Sequence, residues 1–333
     1  MKPGKLDPER LREIIGVYRG SCRDEVLLVP SIGEDCSVLR IGSDLAILST
    51  DPITGASKNA GRLAVIVACN DVAACGGEPL GILVTILCPI GSDEGDFARI
   101  MSEVDIEAKA HGVQVLGGHS EVTAAVNTTV ISTTVIGRPV NGRYITSSGA
   151  KCGDSIIVTK ALGLEGTAIL AEDCSTSLRR ALPEALLIRA KGFIDELSVL
   201  REGMAAASGR VSAMHDITEG GILGALYEVT QASSVGYVID VESLPIREET
   251  RRICETALID PLRLISSGSM LICTDDPDGT LSLLEDAGVE GCVVGEITAS
   301  TDCVILMNGR RILSRAPGEE QLYAAIERLS GSA

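Results

Sequence analysis

The chain has 333 residues, 45% of them hydrophobic and 23% charged, enough apolar material for a sizeable core and not the composition of a disordered chain. Lys and Arg number 29 against 46 Asp and Glu, and the net charge of −17 repels phosphate backbones and anionic lipid, which argues against nucleic-acid or membrane-surface binding. Aromatics are 2% and Trp is absent, so platforms for stacking bases are lacking, and any phosphate ligand must bring a cation or rest on backbone N–H groups.

The length predicts two domains. The opening residues Met1 to Asp7 have no apolar core of a signal peptide, and the apolar runs 63–69 and 80–90 are too short for a membrane span, so a cytoplasmic chain is expected. The 11 Cys are scattered singly with no Cys-x-x-Cys pair, which predicts buried free thiols in a reducing compartment, not disulfides or zinc.

In chain order, Asp7-Pro8-Glu9 predicts a helix with Leu11, Ile14, Ile15 and Tyr18 on one face. Residues 37–41 and 45–49 read as strands, the second ending at Thr50-Asp51. Residues 63–74 are apolar on nearly every side and stop at Gly76-Gly77, the pattern of a buried helix. A strand over 80–88, an amphipathic helix over 93–110, a strand over 113–116 closed by Gly117-Gly118, and a β-rich stretch over 126–136 complete the first half. The small polar residues 146–151 read as a linker, which predicts domains 1–147 and 148–333. In the second half, 155–159, 211–215, 270–273 and 289–295 read as strands, and 164–171, 186–207, 222–232 and 319–329 as helices, with a polar glycine turn over 216–221.

The P-loop, the dinucleotide-binding Gly-x-Gly-x-x-Gly, the Gly-x-Ser-x-Gly elbow and the His-Glu-x-x-His motif are all missing, and with only three His a multi-histidine metal centre is not expected. Acids instead stand where elements end: Glu34-Asp35, Asp51, and Asp71 with Asn70 inside an otherwise apolar helix. A charge in such a run is costly unless something pairs with it, so Asp71 points to function or a buried ion pair. Asp35, Asp51 and Asp71 are hard oxygen ligands of the kind Mg2+ takes together with substrate phosphates. Gly117-Gly118 at a strand end would let a phosphate or base approach the backbone, or would form a plain turn. The turn from His215 and Asp216 through Thr218 to Gly220 and Gly221 leads into a helix and suits an anion. His215 is a candidate general base or a hydrogen-bonded structural histidine. Cys22 and Cys36 read as ordinary thiols.

These segments, in this order, resemble the aminoimidazole-ribonucleotide (AIR) synthetase superfamily. The group includes AIR synthetase (PurM), thiamine-monophosphate kinase, selenophosphate synthetase and the hydrogenase-maturation protein HypE. The resemblance runs through Gly33-Glu34-Asp35, Thr50-Asp51, Asn70-Asp71, Gly76-Gly77-Glu78-Pro79 and Gly117-Gly118-His119-Ser120-Glu121 to Ser148–Asp154, Gly163–Gly166 and His215–Gly221. It implies a two-domain α/β fold, with an N-terminal domain that dimerises into a β-barrel and a C-terminal α/β sandwich. It further implies ATP and Mg2+ in the cleft, with the metals on Asp35, Asp51 and Asp71, ordered by Asn70. Gly117, Gly118, His119 and Glu121 would lie near the nucleotide, and Asp216, Thr218, Gly220 and Gly221 would face phosphates or acceptor. Asp71, Asp216 and His215 would carry the chemistry, phosphorylation of an oxygen by ATP.

Residues 49–55 and the Gly-Gly-His-Ser-Glu-Val segment look most like HypE, which implies a hydrogenase-maturation partner and a homodimer. The last cysteine is Cys303, so the terminal acceptor thiol of HypE has no counterpart here, and an acceptor on another molecule is expected. His119 stands where AIR synthetase has Glu. A phosphotransferase like thiamine-monophosphate kinase and a non-catalytic ATP-binding scaffold are the alternatives.

Overall fold

The computed structural model describes residues 13–14, 18, 20–29, 31, 33–54, 59–314 and 321–330. Most of the helix predicted from Asp7 lies outside them. The first half is a six-stranded sheet in the order β1-β2-β3-β6-β4-β5. Its strands are β1 (Val26–Leu28), β2 (Ser37–Ile41), β3 (Asp44–Ile53), β4 (Gly77–Cys88), β5 (Gln114–Val122) and β6 (Val130–Pro139). β4 pairs parallel with β5 and the other neighbours are antiparallel. Two helices, α1 (Ala60–Ala74) and α2 (Glu94–Ala110), cover one face, and Val65, Val72, Val84, Ile86, Val104 and Val135 close the core between them. Asp93 caps α2 with a reciprocal capping box to Asp96. The sheet is open, and no barrel closes among the described residues.

The second half is a seven-stranded sheet in the order β13-β12-β9-β11-β7-β10-β8. Its strands are β7 (Ser155–Thr159), β8 (Val211–Ile217), β9 (Gly236–Asp240), β10 (Ser269–Thr274), β11 (Gly291–Thr298), β12 (Cys303–Met307) and β13 (Arg310–Leu313). Helices α3 (Leu164–Asp173), α4 (Glu184–Gly192), α5 (Leu200–Ala207), α6 (Gly221–Ser233), α7 (Glu248–Ala257), α8 (Pro277–Asp286) and α9 (Gln321–Ser330) pack around it. No helix among the described residues is long and apolar enough to cross a membrane.

Helix α1 explains how the halves meet. Its all-round apolar sequence is buried twice: Ala64, Val65 and Val72 face the first sheet, while Leu63, Ile66, Ala73 and Ala74 pack on the second half. A Cβ on Gly203 of α5 would stand 2.5 Å from the Ala73 carbonyl, so the two helices touch backbone to backbone.

Several predicted boundaries shift for reasons of pairing. β3 runs past Asp51 to Ile53 because β6 continues the ladder to Ile131, so Asp51 lies within the strand and not at its end. Gly117 and Gly118 also lie inside β5, paired with β4; a Cβ on Gly118 would meet the Val84 carbonyl oxygen at 1.8 Å, which accounts for glycine there. His215 and Asp216 belong to β8, so the turn begins only after Ile217. The helical stretch predicted over 186–207 is broken into α4, a 3-10 turn (Phe193–Glu196) and α5. β9, α7, α8, β12 and β13 had no counterpart in the sequence reading.

Candidate functional site

Three pieces of chain converge at the seam between the halves. The loop before β2 brings Asp35, α1 brings Asp71, and β8 brings His215 and Asp216; all four line one cleft together with Ser147 and Cys75. Ligand atoms of Asp35, His215 and Asp216 lie within 4.8 Å of one another. Burial raises the Asp71 pKa well above the usual carboxylate range, and the charges of Asp51, Asp216 and Asp35 add to the shift. Ser49, two residues before Asp51 on β3, donates its hydroxyl to Asp71 Oδ2. Among the described residues no Lys or Arg lines the cleft, where the carboxylates of Asp35, Asp71 and Asp216 stand close together and the charge of Asp51 reaches Asp71. Such a donor set fits a hard divalent cation, which replaces the protons and relieves the repulsion.

Among the described residues that line the cleft, His215 is the one cationic group. The Ser147 hydroxyl donates to the Met214 carbonyl at 3.1 Å, so its oxygen accepts from His215 Nδ1 at 3.2 Å. Nε2 meets Glu228 Oε2 of α6 at 2.7 Å. Burial alone lowers the histidine's pKa, but the hydrogen bond and charge of Glu228, with Asp35 and Asp216, outweigh it and push it up to about 9. A ring protonated on both nitrogens has no lone pair for general-base work, and its two hydrogen bonds fit the structural alternative that the sequence left open. Glu228, unmarked within the apolar run of α6, is a residue sequence reasoning missed, and nothing local in its helix singled it out.

Asn70 has a different task from its neighbour. Its amide donates to the Leu197 carbonyl at 2.9 Å and accepts from the Val199 N–H at 2.8 Å, tying α1 to the second half. Glu34 makes a similar tie: its Oε1 accepts from the Ser148 N–H at 3.0 Å, and burial raises its pKa.

The remaining predicted residues are not brought into this cluster. His119 and Glu121 pair with each other at 3.0 Å on exposed β5, beside Gly117 and Gly118, and none of the four lines the cleft. Thr218, Gly220 and Gly221 form the turn that starts α6. The Thr218 carbonyl accepts from the N–H groups of Gly221 and Ser266, and the Leu262 carbonyl accepts from that of Leu223, so part of the helix N-terminus is already bonded. Gly221 has φ +61°, and a Cβ there would meet the Leu262 oxygen at 2.6 Å. Cys22 is exposed; Cys36 is buried, its pKa raised by a hydrogen bond with Cys75 and by burial.

Carbamoyl dehydratase HypE of Rhodobacter capsulatus is 27% identical over 279 residues, which cover 81% of this chain and 80% of that protein. Among solved structures, a HypE–HypF complex superposes with a TM-score of 0.75 at 22% identity, covering 92% of this chain and 99% of that one. HypE in complex with ATP gives 0.71 at 21%, covering 96% and 97%. At these identities the superpositions establish the two-domain fold. The family model for the N-terminal domain of AIR synthase related proteins matches residues 33–138, carrying Asp35, Asp51 and Asp71, and that for the C-terminal domain matches 151–308, carrying His215 and Asp216. With both domains matched in order and the cleft formed where they meet, the chain belongs to the AIR synthase related proteins.

Proposed function

We propose that this protein is an ATP- and Mg2+-dependent enzyme of the HypE kind, which activates an amide or similar oxygen by phosphorylation. The observation that carries this reading is the convergence of Asp35, buried Asp71 and Asp216 in a cleft that no described Lys or Arg lines, with the charge of Asp51 acting on Asp71. Asp35, Asp51 and Asp71 would hold Mg2+, with Asp216 facing them from the second half; the ion supplies charge neutralisation to a polyphosphate that an acidic chain would otherwise repel.

The chain's own residues then have separable tasks. Ser49 fixes the rotamer of Asp71 through its hydroxyl. His215, kept protonated by Glu228, sets a positive charge beside Asp35 and Asp216. Asn70 and Glu34 keep the two walls of the cleft in register. Gly220 and Gly221 shape the turn that starts α6, whose Thr218 carbonyl holds the Gly221 and Ser266 N–H groups. Positioning and charge neutralisation are the main contributions a protein makes to phosphoryl transfer, and these residues provide both.

The likeness to an ATP-bound HypE and to a HypE–HypF complex supports ATP as donor and a hydrogenase-maturation protein as partner. We place the domains at 1–147 and 148–333 and the reaction in the cytoplasm. The outer face of the first sheet, with Leu83 48% and Leu116 54% exposed, supports a homodimer closed through that face, with the β5 stretch of Gly117, Gly118, His119 and Glu121 at the join.

The test is calorimetric titration of ATP with and without Mg2+, followed by phosphate release on the same sample. Binding that needs Mg2+, release of phosphate, and loss of both in Asp71→Asn are expected. Binding without release would make the protein a scaffold, and no binding in either condition would remove the reading.

A further inference from the structure

The hydroxyl of Thr133 is wholly buried and has no hydrogen-bond partner. Buried hydroxyls are almost always bonded, so an orphan in a packed core calls for an explanation. Its position supplies one. Thr133 on β6 stands directly opposite Asp51 on β3. One residue further along each strand, Thr50 and Thr134 are also opposite, and their hydroxyls bond each other at 2.9 Å on the outer face of the sheet. Side chains alternate faces along a strand, so Asp51 and Thr133 share the inner face, the one covered by α1. Ser49, on that same face, already donates into Asp71, and the inner-face neighbours of Thr133 on its own strand, Ile131 and Val135, are fully buried. The inner face thus presents the Ser49 hydroxyl, bonded to Asp71, and the Asp51 carboxylate along β3, with the unbonded Thr133 hydroxyl across from Asp51 on β6.

We infer that Thr133 is a positioning residue of the cation site, its hydroxyl donating to the Asp51 carboxylate when Asp51 ligates a divalent cation. This rests on the cation reading given above. A carboxylate that binds a metal through one oxygen presents the other to a neighbouring donor, and such donors orient the ligand. The cross-strand position puts the Thr133 hydroxyl within reach of that second oxygen. Threonine here serves the bound state: in the metal-free chain the hydroxyl contributes nothing that valine, of the same shape, would not.

The experiment uses Mn2+ as the probe, its binding to the full chain followed by electron paramagnetic resonance, with melting temperatures in EDTA as the stability control. Thr133→Val is expected to bind Mn2+ about tenfold more weakly, to melt in EDTA no lower than wild type, and to be rescued to within about threefold by Thr133→Ser, which restores the hydroxyl. Thr133→Ala serves as a second variant lacking the hydroxyl should the valine variant not fold. Wild-type affinity in the folded valine or alanine variant overturns the inference while leaving the cation site intact. Failure of the wild-type chain itself to bind Mn2+ overturns the cation reading and this inference with it.

Discussion

His215 on β8 and Glu228 on α6 meet at 2.7 Å, both within the second half, and their pairing determines the charge of a cleft built largely by the first half. The acids there face a positive group fixed by a residue that does not line the cleft. Replacing Glu228 with Gln removes that control. Nuclear magnetic resonance titration of wild type should place the His215 transition near 9, and Glu228→Gln should lower it, since only the charges of Asp35 and Asp216 then oppose burial. A wild-type transition near 6.5 would contradict the pairing.

The same pair fixes a pH dependence of stability. The folded pKa of His215 lies above the unfolded value, so its contribution is complete below about pH 6.5 and is lost as pH rises through about 9. Chemical denaturation between pH 6 and 9.5 should show wild type losing stability more steeply than Glu228→Gln.

Asp71 works against the stability of the empty cleft. Its folded pKa is raised, so its favourable contribution is complete below the unfolded value and disappears as pH climbs through the folded one. In EDTA at pH 8, Asp71→Asn should be more stable than wild type by about 1–2 kcal/mol, as is common when a strained functional site is relieved. Added Mg2+ should raise the wild-type melting temperature more at pH 8 than at pH 5, and should leave the variant unmoved. Equal Mg2+ shifts in both proteins would sink this account.

Asn70→Ala leaves two buried backbone groups, the Leu197 carbonyl and the Val199 N–H, without their partners. At about 1–2 kcal/mol for each orphaned group, a loss of roughly 2–4 kcal/mol is expected in urea unfolding. A neutral result would mean that water replaces the amide.

The cysteines separate by exposure. Cys22 and Cys152 are exposed, whereas Cys36 and Cys69 are buried with thiols whose pKa values are raised, that of Cys69 to about 12. Alkylation with iodoacetamide at pH 8 should modify Cys22 and Cys152 first, with Cys36 and Cys69 reacting only on unfolding, because the thiolate is the nucleophile. Early labelling of Cys36 would show that the cleft opens.

What the sequence determined by itself was chiefly local. An apolar helix with Asp71 inside it could be read directly, because burial of that run forces a reason for the charge, and the breaks at Gly76-Gly77 and Gly112 follow from backbone freedom. The acids Asp35, Asp51 and Asp71 were visible as residue types, and the order of the motifs carried the family. Tertiary structure decided which of these groups meet. Asn70 and Asp71 are adjacent in the chain, yet the turn of the helix sends one to the Leu197–Val199 backbone and the other to Ser49 and the acids. Strand register made Thr133 the partner of Asp51 and moved Gly117 and Gly118 from a loop into a paired strand. Glu228 gained its role only because α6 packs back over β8, so that a side chain unremarkable in its own helix sets the charge of His215. Periodicity reports which face of an element is buried; pairing across sheets and between helices sets which polar groups that face brings together.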